Sequence, residues 1–265
     1  MYSRYQLVKK YLHYYLTASN GKGHGVHSPF VFGFIRDVLN DKKNYSCYAS
    51  VEQKRKELLS NETIIEVEDF GAGSSVIKTN KRVIKDIASS SLKPKKYAQI
   101  LFRIAQYYKP KTILELGTSF GISTAYLASA DHIPDVYTCE GASSIAAIAK
   151  RNFEKLGLKN IHLTEGDFAN TLSPLLAKLN KIDLAFIDGN HRKEPTLNYF
   201  QQLLNHSTGS AILIFDDIHW SAGMEAAWEL IKQHQAVSLT IDLFFIGIVI
   251  LSPDINHKQH FSIRF

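Results

Sequence analysis

Acids recur at the ends of apolar, β-rich runs in the second half of this chain, at places where a folded sheet would turn them into a binding site. The run TILEL carries Glu115; VYTCE ends in Glu140, IHLTEGD in Asp167, IDLAFID in Asp188, and AILIFDD in Asp216 and Asp217. In an open α/β sheet, ligands bind outside the carboxyl ends of the strands. A row of carboxylates there suits hydroxyls, amines or a metal ion. The first run continues as TILELGTSFGIST, turning through Gly117 and Gly121 into a helical pattern. Such a strand–loop–helix unit offers backbone N–H groups and a helix N-terminus to a ligand.

Each acid has a specific use. Glu140 ends the second strand, where a carboxylate can accept both hydroxyls of a ribose. Asp167, followed by Phe168, either accepts from an adenine amine with the phenyl ring covering the base, or caps the next helix. The first loop reads E-L-G-T-S-F-G, with Ser119 where a dinucleotide fingerprint has its middle glycine, and no Gly-Lys-Ser/Thr follows. Glu115, if it faces the loop, repels a pyrophosphate and welcomes a cationic amino group. The expected ligand is a nucleoside carrying an ammonium rather than phosphates.

Asp188, Asp216 and Asp217 fall at neighbouring strand ends and form a candidate oxygen-rich cradle for Mg²⁺ or another hard divalent ion. A metal there would lower the pKa of a bound hydroxyl. His191, three residues after Asp188, can act as general base near neutral pH; the alternative is a histidine that orders the loop. His219 and Trp220 either shape an acceptor pocket or pack over the sheet end. Two further patterns carry less. VEDFGAGS (67–74) imitates a cofactor loop but lacks an acid-ended strand at the required distance, and reads as a surface or lid loop. His24 and His27 form a His-x-x-His pair without two further ligands, and read as part of a loop.

The elements that must position these residues alternate regularly from Lys95 onward. Helices over 95–108, 123–130, 143–155, 170–178, 194–205 and 223–234 alternate with strands over 112–116, 135–140, 161–165, 182–188 and 210–216, and two paired strands follow over 237–243 and 245–251. This order predicts an α/β, doubly wound, mostly parallel sheet. The final HFSIRF is either a short strand or a tail. Residues 1–94 form a mainly helical extension, with helices over 5–16, 29–39, 51–59 and 81–89, and residues 95–265 form the ligand-binding domain. The extension is expected to cap the acceptor pocket, make a homodimer interface or bind an anion.

The bulk numbers are those of an ordinary soluble globular chain. The chain has 265 residues, 45% of them hydrophobic and 21% charged, enough for a full buried core. Its two cysteines, Cys47 and Cys139, make no disulfide framework. No apolar run is long enough to span a bilayer, the N-terminus lacks a secretory pattern, and a cytoplasmic location is expected. Residues 1–112 hold 20 Lys and Arg against 9 Asp and Glu, whereas 113–265 hold 11 against 16. The basic half suits an anionic partner such as nucleic acid, a phosphorylated substrate or a membrane surface, or is simply a solvated surface.

The segment ILELGTSFGIST, Glu140, GDF, FIDGNH and FDDIHW together resemble the class I S-adenosylmethionine-dependent methyltransferases, and most of all the branch with catechol and caffeoyl-CoA O-methyltransferases. Glu115, Gly117, Gly121 and Ser123 match that branch's E-x-G-x-x-x-G-x-S. The resemblance covers about residues 95–251. It implies a seven-stranded Rossmann-like sheet whose last strand is antiparallel, and S-adenosyl-L-methionine held by Glu115, Gly117, Thr118, Ser119, Gly121, Ser123, Glu140, Gly141, Asp167, Phe168 and Asp188. Metal-dependent members place Asp on the fourth strand and Asp-Asn on the fifth; here Asp217 stands for the Asn, and His191 stands where a basic lysine is common. The implied activity is methylation of a hydroxyl on a small-molecule acceptor, with or without a divalent cation. RNA modification is the alternative, although no RNA-binding motif is present. A third reading is a non-catalytic nucleoside-binding protein that kept the fold.

Overall fold

In a computed structural model, which describes residues 1–24, 26–67 and 80–265, the βα alternation from Lys95 onward is present. The loop pattern at 67–74 lies, apart from Val67, outside the described residues. In chain order the elements begin with helices α1 (Arg4–Thr17), α2 (Pro29–Phe34, continued by π-helical turns over Ile35–Leu39) and α3 (Ser46–Leu59), strands β1 (Ile64–Glu66) and β2 (Lys81–Val83), and helix α4 (Ile84–Ser91). Then follow α5 (Lys95–Tyr108), β3 (Thr112–Leu116), α6 (Ile122–Ala128), β4 (Asp135–Glu140), α7 (Ser143–Lys155), β5 (Ile161–Glu165) and α8 (Phe168–Lys178). The last third holds β6 (Ile182–Ile187), α9 (Lys193–His206), β7 (Ser207–Asp216), α10 (Ala222–Gln233), β8 (Leu239–Asp242), β9 (Ile246–Ile250) and β10 (Gln259–Ser262).

The chain divides into two compact units, 42–179 and 1–41 with 180–265. In the first, β3, β4 and β5 pair in parallel, with Glu115 opposite Thr138 and Glu140 opposite Glu165. Helix α5 turns an apolar face inward through Ala98, Leu101, Phe102 and Ala105. It ends at Lys109 in the left-handed conformation, just before Pro110, as helices commonly stop. In the second unit β6 and β7 are parallel, β9 is antiparallel to both β7 and β8, and β10 lies parallel to β8.

These strands make up a mostly parallel sheet of eight, as an α/β, doubly wound fold requires. The count corrects the expected seven: the C-terminal HFSIRF supplies β10, whose Phe261 pairs with Ile241. A second correction concerns 81–89, expected as one helix. Lys81–Val83 is a strand paired antiparallel with β1, and the helix begins only at Ile84. β-Branched Val83 and the cross-strand partner at Ile64 outweigh the helical spacing that follows.

Residues 1–94 do not stand as one body. Residues 42–94 belong to the unit that carries the first loop, and Val51, Leu58, Ile84 and Ile87 share one apolar cluster with Phe102, Phe120 and Tyr126. The first 41 residues belong to the other unit. There Tyr14 is buried and donates its hydroxyl to the Ile263 carbonyl.

Candidate active site

In the unit formed by 42–179, the chain leaves β3 through a loop whose backbone only glycine or a strained residue adopts easily. Gly117 and Gly121 have φ of 102° and 81°, and Ser119 has φ of 47°. The N–H groups of Gly117 and Thr118 both donate to the Cys139 carbonyl at 3.0 and 3.1 Å, which ties the loop to the end of β4. A side chain at Gly121 would drive into the Phe153 ring. Asn152 donates to the Phe120 carbonyl at 2.9 Å and braces the same turn.

Glu140 closes this crevice. Its Oε2 accepts the Ser119 N–H at 2.8 Å and its Oε1 accepts the Ala142 N–H at 3.0 Å. Burial raises its pKa, against the pull of the backbone N–H groups of Ala142, Ser119 and Gly141. Each carboxylate oxygen retains a further lone-pair direction for a hydroxyl donor.

Glu115 behaves differently from the expectation. It does not face the loop as a surface carboxylate but is fully buried beneath it. Its Oε2 accepts from Thr124 and, at 2.7 Å, from Thr138, which is its register partner on β4. Burial pushes its pKa up to about 7; the hydroxyls of Ser123, Thr124 and Thr138 work against the rise, and the charge of Glu140 adds to it. Its Oε1 is buried with no hydrogen-bond partner among the described residues. Thr118, 1% exposed, also bonds Thr138, at 2.6 Å between hydroxyls. The acid and the hydroxyls around it thus hold the loop from below.

Asp167 takes up its capping role: Oδ1 accepts the Ala169 N–H at 3.1 Å at the start of α8, and Phe168 is the first residue of that helix, half-buried. Ser91 was missed by sequence reasoning; its hydroxyl lies 2.8 Å from that of Ser119. Nothing in the SSS run around it singles out one serine. Thr138 was missed as well, though a threonine pointing inward on a buried strand is a readable signal.

The other unit holds the second group of candidates. Asp188 follows β6, and Asp216, 1% exposed, ends β7. The turn after Asp188 is set by Asn190, which has φ of 55°, accepts from Arg192 Nε at 2.6 Å and lies 3.4 Å from the Tyr199 hydroxyl. That turn brings His191 Nε2 to 3.7 Å from Asp188 Oδ1. Asp188, His191 and Asp216 each offer one ligand atom within 4.8 Å of the others, the one such group among the described residues. His24 and His27 have no part in it.

Asp217, expected as a third carboxylate ligand, is not in that group. Its backbone adopts φ of 53°, and its N–H donates to the Phe245 carbonyl at 2.7 Å. It lines a small depression with Leu7, His219, Trp220, Phe244 and Phe245. The left-handed turn directly after the strand separates the two neighbouring acids, and a histidine takes the third place. His219 lies on a network of its own, 3.0 Å from Glu225 and 2.8 Å from Asp242, stacked on Phe244. Burial opposes charge there, but the Asp242 and Glu225 carboxylates outweigh it and raise the pKa. Tyr2 and Lys10 of α1's end of the chain reach the same Glu225 at 2.7 and 3.0 Å.

A mostly parallel sheet with acid-tipped strands and a glycine-bent first loop closed by Glu140 is the setting in which residues 114–218 match a family described as a methyltransferase domain. Among curated proteins, part of the chain is similar to an O-methyltransferase. It is 32% identical over 128 residues to a catechol O-methyltransferase from Niastella koreensis, an alignment covering 46% of this chain and 55% of that one. The chain therefore spans about half the length of that curated relative. Among solved structures, an O-methyltransferase from Bacillus cereus in complex with SAH aligns with TM-score 0.56 and 22% identity over 83% of this chain and 97% of its own. An SAH-bound methyltransferase from Podospora anserina aligns with TM-score 0.58 and 13% identity over 94% and 97%. At these identities the two structures support the fold.

Proposed function

We propose that this chain transfers the methyl group of S-adenosyl-L-methionine to a hydroxyl oxygen of a small molecule. The convergence of Asp188, His191 and Asp216 within 4.8 Å carries the reading, because such a group can strip or polarise a hydroxyl and has no use in a domain that only stores a nucleoside. The crevice residues fit the cofactor. Glu140 would take the ribose hydroxyls, the backbone of Gly117–Gly121 would flank the amino-acid portion, and Phe168 with Asp167 would border the base. The Gly141 N–H and the Ser123 hydroxyl help to hold the Glu140 and Glu115 carboxyls in place. Bound there, S-adenosylmethionine supplies a methyl on a sulfonium, open to displacement by an oxygen nucleophile.

The chain's own contribution is to prepare that oxygen. His191 takes the acceptor proton at Nε2 while Asp188, beside it, stabilises the imidazolium that forms. The same three side chains also fit a divalent cation. With an imidazole among the donors the set suits Mn²⁺ or Zn²⁺ better than Mg²⁺, which prefers oxygen throughout. A bound cation would itself lower the hydroxyl pKa. These two uses of His191 exclude one another at a single nitrogen. A labelled-methyl assay over a panel of hydroxylated aromatic and aliphatic acceptors, with and without EDTA, tests both. Transfer that survives the chelator assigns His191 as base; transfer lost and restored by Mn²⁺ assigns it as ligand; no transfer to any acceptor by cofactor-bound protein contradicts the proposal.

A further inference from the structure

Helix α1 has two apolar sides. One, through Tyr14 and Tyr11, packs against Phe244. The other is bare. Tyr5, Val8, Leu12, Tyr15 and Leu16 are 79, 58, 55, 48 and 79% exposed. At about 100° per residue they fall in one stripe about 100° wide.

Arg4 borders the stripe on one side and Lys9 on the other, both exposed and neither meeting an acid among the described residues. The helix, RYQLVKKYLHYYLT, contains no acidic residue. Arg264 adds a third cation at the C-terminal end, 5.5 Å from the Tyr15 ring centre. The helix is fastened so that this face stays outward: a capping box at Ser3 and Gln6 fixes its start, and Lys10 and Tyr2 are anchored on Glu225.

We infer that the exposed stripe of α1 is a docking surface for an anionic membrane. Charge decides among the occupants. In a two-fold contact through the stripe, the flanks of one copy meet the same flanks of the other, and here every flank is positive. Five residues are also few against the roughly 20–30 per side of a stable protein interface. The branched aliphatic side chains of Val8, Leu12 and Leu16 do not stack on nucleic acid bases. An apolar stripe between two cationic borders is what a helix lying in the headgroup region presents, its apolar side chains in the acyl boundary and its cations at the phosphates. No helix among the described residues is long and apolar enough to cross a membrane, so the attachment is peripheral and reversible. The inference is independent of the proposed reaction.

Co-sedimentation of the full chain with vesicles tests it. Binding is expected to vesicles containing about a third phosphatidylserine, to weaken with added salt, and to be much lower on pure phosphatidylcholine. Arg4→Gln with Lys9→Gln should weaken binding about thirtyfold, the loss of two cations at about 1 kcal/mol each. Leu12→Ser with Leu16→Ser, both exposed and therefore harmless to the core, should abolish it with an unchanged circular dichroism spectrum. Absence of binding to the anionic vesicles, or binding indifferent to these substitutions, overturns the inference. So does a stable dimer in sedimentation velocity that Leu12→Ser with Leu16→Ser dissociates, since the stripe then belongs to a second copy.

Discussion

The backbone N–H of Ser119 donates to Glu140 Oε2 at 2.8 Å. One carboxylate therefore shapes the loop after β3 and, in the proposed function, also accepts from the sugar of the cofactor. Glu140→Ala removes both functions. Hydrogen bonds to a charged group contribute about 1.5–3 kcal/mol, so cofactor affinity should fall roughly 10- to 150-fold by calorimetry, with the secondary structure unchanged.

The bend at Gly121 is intolerant of a side chain for two separate reasons, its φ of 81° and the Phe153 ring. Gly121→Ala should destabilise the protein by about 2–4 kcal/mol in urea denaturation. Gly157, with φ of 70° and nothing within 4 Å, isolates the backbone part: Gly157→Ala should cost only about 1–2 kcal/mol. Equal losses at the two sites would remove Phe153 from the account.

Glu115 makes stability depend on pH. Burial pushes its pKa up to about 7 from the ordinary 4.5, so the unfolded chain releases its proton first. The stability linked to this group is fully present below about pH 4.5 and is lost as pH rises through about 7, by roughly 3 kcal/mol at most. Glu115→Gln should flatten the fall between pH 5 and 8 relative to the unaltered protein. Parallel curves for the two proteins would show that the carboxyl is not held protonated.

His191→Ala should lower methyl transfer by roughly 10²–10⁴-fold, the usual range for loss of a general base. Cofactor affinity should stay within a factor of about two. Unchanged turnover would remove His191 from the reaction.

Much of this was readable in the chain. The strands at 112–116, 135–140 and 161–165 have the bounds that the sequence suggested: β3 is a buried, mainly apolar run, as an interior parallel strand is written, whereas β5, at the sheet edge, is half-exposed and was marked by the helix stop at Gly157 before it. Glycine and the acids at strand ends likewise mark the crevice by local chemistry. What local pattern does not encode is direction after a turn. Asp216 and Asp217 are neighbours, yet a left-handed residue parts them and His191 joins the group instead. Partners far along the chain were invisible for the same reason: Tyr2 and Glu225 are 223 residues apart, and no periodicity links them. The burial of Glu115 depended on Thr138 across the sheet, which becomes evident only once the register of β3 against β4 is known.

The central claim is that the loop from Gly117 to Gly121, closed by Glu140, holds an adenosyl amino acid and not a diphosphate. Titration calorimetry of the full chain with S-adenosylmethionine and with NAD, side by side, measures it. The account predicts binding of S-adenosylmethionine that Glu140→Ala weakens, and no heat with NAD. Binding of NAD, or S-adenosylmethionine affinity indifferent to Glu140, would contradict it.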